Sequence, residues 1–76
     1  MMYLIGLKKG VHPCGNEGTL ITHYKAQYKL RETAQRFATM YGLDEVYGLQ
    51  EYPQKLCEIS NTEVVDHIRR KGKRYV

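Results

Sequence analysis

Five side chains could ligate a metal or activate a nucleophile: His12, Cys14, His23, Cys57 and His67. Structural zinc draws its ligands in short-spaced pairs such as Cys-x-x-Cys, whereas this chain offers only His12-x-Cys14 and scatters the rest. The reading is therefore no metal and no cofactor, with an exposed loop His12 and Cys14 and a core Cys57 on a strand. Cys14 with His12 or His23 would be a thiolate and its base, but spacing places no third orienting group. Gly15-Asn16-Glu17-Gly18 is a turn without the positioned lysine and following helix of a phosphate cradle. Length points the same way: 76 residues bury a thin core and leave little room for a deep cleft. One domain over 1–76 and no enzymatic activity are the expectation.

The elements that would position these groups follow from periodicity. Residues 2–9 are short and apolar and end in lysines, which reads as a strand. Residues 10–18 are dense in breakers and form a loop longer than most hairpins use, a mild pointer to contacts carried there by His12, Cys14 and Asn16. Thr19 to Lys25 alternates and predicts a second, antiparallel strand. Leu30, Ala34, Phe37, Ala38 and Tyr41 form one stripe of an amphipathic helix that ends at Gly42, with a poor N-cap before Leu30. Val46 to Tyr52 predicts a third strand, and Lys55 to Ile59 a short fourth after Pro53. Ser60 and Glu63 spell a capping box, with Ile59 and Val64 as its hydrophobic staple, for a helix over 61–71.

The order is ββαββα, an α+β fold with a mostly antiparallel four-stranded sheet and both helices on one face. The alternative drops the fourth strand and leaves ββαβα. One sheet face would then stay open, and tyrosine suits such a face because it offers apolar area with a polar tip. Of the seven tyrosines, Tyr24 and Tyr47 on strands are candidates for that surface, while Tyr41 belongs to the helix stripe and so to the core.

The net charge of +4 hides a strong sorting along the chain. Residues 44–66 carry six acidic side chains against one lysine, and the five cations Arg69, Arg70, Lys71, Lys73 and Arg74 follow. With Tyr75 among them, that basic tail could hold phosphates and stack bases. It equally supplies favourable cations to a helix C-terminus. The acidic middle argues against a surface built throughout to coat nucleic acid.

Two cysteines are few for a secreted domain of this size, so free thiols in a reduced, cytoplasmic setting are expected, with a Cys14–Cys57 bridge as the alternative. The lysines follow the first apolar stretch instead of preceding it, unlike a signal peptide, and no run approaches membrane-helix length. No membrane association is expected. A free sheet edge would allow a homodimer as well as a monomer.

The run YLIGLKKG, the loop, and then GTLITHY followed by YKLRETAQRFATMYGLDEVYGLQEY resemble the small accessory proteins of bacteriophages, over roughly residues 2–52. That resemblance implies a compact ββαβ-type chain acting in the infected cell by binding and inhibiting a host protein. It assigns no functional residue. The expected function is a non-enzymatic, host-modulating interaction module for a protein partner. The alternative is a nucleic-acid-binding domain using the basic tail, Lys8, Lys9 and exposed tyrosines. The candidate binding residues are His12, Cys14, Asn16, Tyr24, Tyr47, Arg69, Arg70, Lys71, Lys73, Arg74 and Tyr75.

Overall fold

A computed structural model describes residues 2–13, 20–22, 29–51 and 56–76. Among these the order is β1 (Met2–Leu7), β2 (Leu20–Thr22), α1 (Leu30–Tyr41), β3 (Glu45–Glu51), a 3₁₀ turn (Leu56–Glu58) and α2 (Asn61–Lys71). It is a small α+β fold. The sheet runs β2-β1-β3, and β1 is antiparallel to both neighbours.

The helices do not share a face. Leu4 and Val46 pack with Ala34, Phe37, Ala38 and Leu43 on the α1 side. Ile5, Leu7 and Tyr47 pack with Val64 and Ile68 on the α2 side. Successive strand residues point to opposite faces, so β1 is apolar on both and its core residues Leu4, Ile5, Gly6 and Leu7 are all buried. The expectation of two helices on one face is thereby corrected, and with it the open tyrosine face: Tyr47 is 6% exposed. Tyr41, expected in the core, lies at the stripe's margin, 42% exposed with its ring edge-on to Phe37.

A bulge explains how β3 serves both layers. Tyr3 pairs with Gln50 and Ile5 with Tyr47, so Leu4 alone opposes Gly48 and Leu49. Beyond the extra residue the alternation flips. Tyr47 and Gln50 both turn to α2, while Val46 and Leu49 pack on the α1 side.

The expected fourth strand over Lys55–Ile59 is not formed. Leu56–Glu58 is a 3₁₀ turn, and residues 52–55 lie outside the described residues. The place beside β3 is taken by residues 73–76: Gly48 N–H donates to the Lys73 carbonyl at 2.7 Å and Tyr75 N–H to the Val46 carbonyl at 2.8 Å. The element order is thus the alternative ββαβα, with the ladder next to β3 continued by a stretch that carries no strand-like pattern.

Local signals set the helix ends. Ser60 Oγ accepts the Glu63 N–H at 3.2 Å, one half of the capping box, and Ile59 packs in the cluster that holds Val64. Lys29, in the left-handed region at φ 66°, gives α1 no side-chain cap, as the missing Ser, Thr, Asp or Asn implied. Gly42 closes α1 at φ 65°, and Leu43 folds back into the core.

Candidate functional site

The acidic start of β3 and the basic end of α2 meet at one carboxylate. Glu45 accepts Arg69 twice, from Nε at 3.1 Å and from Nη2 at 2.7 Å. The Tyr47 hydroxyl donates to Glu45 Oε1 at 2.7 Å, since residues two apart on a strand share a face. Arg74 brings Nη1 to 3.9 Å from the same oxygen. The Arg69 hydrogen bonds hold the Glu45 carboxyl below its ordinary pKa of 4.5, against the opposing effect of burial. Burial, then the bond to Glu45, pushes the Tyr47 phenol above 10.0, and the carboxylate raises Arg69. At neutral pH, Glu45 is an anion and Tyr47 is neutral. Both shifts move the pKa away from pH 7, so neither charge state changes there, and the cluster acts as an electrostatic lock between β3, α2 and the closing segment.

Sequence-predicted residues divide sharply around this lock. Tyr47, Arg69 and Arg74 are brought together on Glu45. Arg70 Nε donates to the Asp66 carbonyl at 3.4 Å, within its own helix. Lys71 is exposed. Lys73 sits 5.6 Å from the Tyr75 ring centroid, and that ring covers Gly48, where a Cβ would meet Tyr75 Cε2 at 2.3 Å. His12 Nε2 lies 3.0 Å from the Ile59 carbonyl and donates to it in the tautomer protonated there. That bond ties the segment after β1 to the start of α2. Cys14, Asn16 and Tyr24 lie outside the described residues. Cys57 is disulfide-bonded, which corrects the expectation of free thiols. A persistent disulfide belongs to oxidising surroundings, so the cysteines no longer argue for a reduced compartment. Among the described residues no cluster of three His, Cys, Asp or Glu could hold a metal, and no helix is long and apolar enough to cross a membrane.

Two grooves flank the sheet. One, of about 420 Å³, lies on the α2 side, with Leu7, Val11 and Val65 at its base and Lys8, Lys9, Asp44, Glu45, Asn61 and Arg69 around it. Its rim is built by a tight turn over 8–11, closed by Val11 N–H to the Lys8 carbonyl at 3.0 Å. Gly10 at φ 78° takes the third position, where that turn class demands Gly or Asn. The turn is fastened to the head of β3: Lys9 N–H donates to Asp44 Oδ2 at 2.7 Å and Asp44 N–H to the Leu7 carbonyl at 2.9 Å. Both lysines are exposed, and neither ammonium has an ion pair among the described residues. The second groove, also about 420 Å³, lies on the α1 side between Leu30, Met2, Leu49 and the Lys73–Tyr75 segment.

The sequence reading missed Glu45 and the lysine turn. Glu45 and Tyr47 at i and i+2 were the only local signal for the lock. Their partner Arg69 is 24 residues away. Lys-Lys-Gly-Val did carry a turn signal in its glycine. No family model, curated protein or solved structure matches the chain.

Proposed function

We propose that this chain is a non-enzymatic interaction module that binds an acidic segment of a protein partner in the α2-side groove. The supporting observation is the imbalance there. Asp44 and Glu45 are already engaged by Lys9 N–H and Arg69, whereas the Lys8 and Lys9 ammonium groups have no ion pair among the described residues. The groove therefore pairs the Lys9 cation with an apolar lining of Leu7, Val11 and Val65, while the Lys8 ammonium lies beside Gly42 at the end of α1. That combination suits alternating acidic and aliphatic side chains, with the charges mainly steering and the apolar contacts holding. A bacteriophage-type role, in which the partner is a host protein inhibited by occlusion, is the extension that the sequence resemblance supplies.

The nucleic-acid alternative loses support from the same geometry. Two of the five tail cations, Arg69 and Arg74, face Glu45, and the tyrosine face it relied on is covered by α2. The test is an amide-shift titration with a synthetic peptide of alternating Glu and Leu. Shifts centred on Lys8–Val11, Asn61 and Val65 are expected. Shifts absent at millimolar peptide, or centred on Arg70–Lys73, would remove the reading.

A further inference from the structure

We propose that the α2-side groove is under the control of the Cys57 disulfide. Bridged, the chain holds the two walls of the groove at binding distance; opening the bridge with a dithiol releases one wall without unfolding the sheet. The inference rests on the reading of that groove as the binding site and adds its regulation.

The bridge stands where the walls meet. One wall is Val11 with the turn over 8–11, and the other is Asn61 and Val65 on α2. Just beyond Val11, His12 Nε2 lies 3.0 Å from the Ile59 carbonyl, and Pro13 is fully buried. Ile59 stands midway between Cys57 and Asn61 in the sequence. Cys57 is disulfide-bonded, and the sequence holds one other cysteine, Cys14, directly after Pro13. Within a single chain it is the one available partner, so the bridge repeats covalently the tie that the His12 bond makes.

Access and anchoring make this bridge a switch. Cys57 is exposed on the 3₁₀ turn, and exposed disulfides are the ones that thiols reach and open. A thiolate of the dithiol bonds to one sulfur and displaces the other; its second thiol then displaces the first cysteine, and the reagent leaves as its own disulfide. The chain's S–S bond is broken, two electrons and two protons pass to it, and two thiols result. The rest of the fold keeps its own anchors. Val64 and Ile68 are fully buried, Gln50 Nε2 donates to the Ile68 carbonyl, and Arg69 holds Glu45. The 8–11 turn stays fastened to Asp44. The start of α2 has less: Ile59 is half-buried, and Ser60, Asn61, Thr62 and Glu63 are exposed. Low burial marks the part that opens locally, so the wall that moves on reduction is the one carrying Asn61.

The experiment compares the full chain, oxidised and after treatment with dithiothreitol, by its affinity for the peptide of alternating Glu and Leu and by amide hydrogen exchange. The oxidised chain is expected to bind about tenfold more tightly, since only a fraction of reduced molecules holds both walls in place at any moment. Reoxidation should restore the affinity, and Cys57→Ser should bind as weakly as the reduced chain and ignore the dithiol. Glu63 and Val64 amides should exchange faster in the reduced chain, with the β1–β3 ladder still protected. Equal affinity in the two states, with the oxidised chain binding, overturns the switch and leaves the groove reading standing. No binding by the oxidised chain removes the groove reading and the switch with it. A reduced or Cys57→Ser chain whose ladder loses protection also overturns the switch, because the bridge then holds the whole fold. So does a Cys57→Ser chain that still responds to the dithiol.

Discussion

Arg69 grips Glu45 with two parallel hydrogen bonds, joining the last turn of α2 to the first residue of β3. The pair gives the fold a defined pH response. The unfolded Glu45 takes its proton near 4.5 and the folded one only at lower pH. Its contribution is therefore complete above about pH 4.5 and is lost as pH falls through the depressed folded value. Tyr47 behaves in the opposite sense: its contribution is complete below 10.0 and is lost as pH rises through the raised folded value. Melting temperature plotted against pH is expected to be flat between these limits as far as the cluster is concerned. Glu45→Gln should lower the plateau and flatten the acid limb, while Tyr47→Phe should flatten the alkaline limb. An acid limb unchanged by Glu45→Gln would show that the lock contributes nothing.

Gly6 is the point where α1 and Leu43 come down on the central strand. A Cβ there would sit 2.2 Å from Leu43 Cδ1 and 3.1 Å from Phe37 Cε2. Overpacking a dense core costs about 1–3 kcal/mol, so Gly6→Ala should destabilise by that amount in urea unfolding. Leu43→Ala in the same chain should restore part of the loss, because it removes the colliding atoms. Losses that simply add would place the strain elsewhere.

Gln50 is 4% exposed; its Nε2 donates to the Ile68 carbonyl at 3.2 Å, and its Oε1 has no partner among the described residues. Gln50→Glu would remove that donor and bury an uncompensated charge against a carbonyl. A loss of about 3 kcal/mol or more is expected at pH 7. The burial raises the carboxyl pKa, so stability should recover as pH falls through that raised value. A Gln50→Glu chain as stable as the parent at pH 7 would mean that the side chain reaches water.

These positions show which parts of the fold are legible in one sequence. The helix spans were written locally, in the Ala34–Phe37–Ala38 stripe and in Ser60 with Glu63. The placement of α2 was not. It depends on Ile5, Leu7 and Tyr47 facing away from Leu4 and Val46, and a strand that is apolar on both faces does not say which helix covers which. The bulge at Gly48 and Leu49 adds a parity change that alternation alone cannot reveal. The tail was read as charge, whereas its work in the fold is done by backbone bonds and by the Tyr75 ring on Gly48, a fit between residues 27 positions apart in the sequence. Of the proposed site residues, Tyr47, Arg69 and Arg74 do converge, on an acid that the composition reading had counted only as part of an acidic middle.

Cys57 is expected to contribute through its bridge. In the unfolded but unreduced chain, a thiol reagent should leave Cys57 unmodified, since no described cysteine is free. Reduction should then lower stability by about 2–4 kcal/mol, the usual effect of opening a cross-link in a small chain. Because His12 also ties the same region to the start of α2, His12→Ala should cost more in the reduced chain than in the oxidised one. Equal costs would mean that the two ties act independently.

The charge pattern separates the two functional readings most directly. Lys8→Glu with Lys9→Glu reverses the groove rim without touching the Glu45 lock, since neither ammonium has an ion pair among the described residues. Arg70→Glu with Lys71→Glu reverses the exposed end of α2. For an acidic protein ligand, the first pair should reduce affinity by at least about tenfold and the second should change it little, because steering charges act within roughly a Debye length, about 8 Å at physiological salt. For a short single-stranded oligonucleotide, any binding should fall steeply with salt and should respond to the second pair. An affinity for the acidic peptide that ignores the first pair, together with oligonucleotide binding lost through the second, would move the function from the groove to the basic end of the helix.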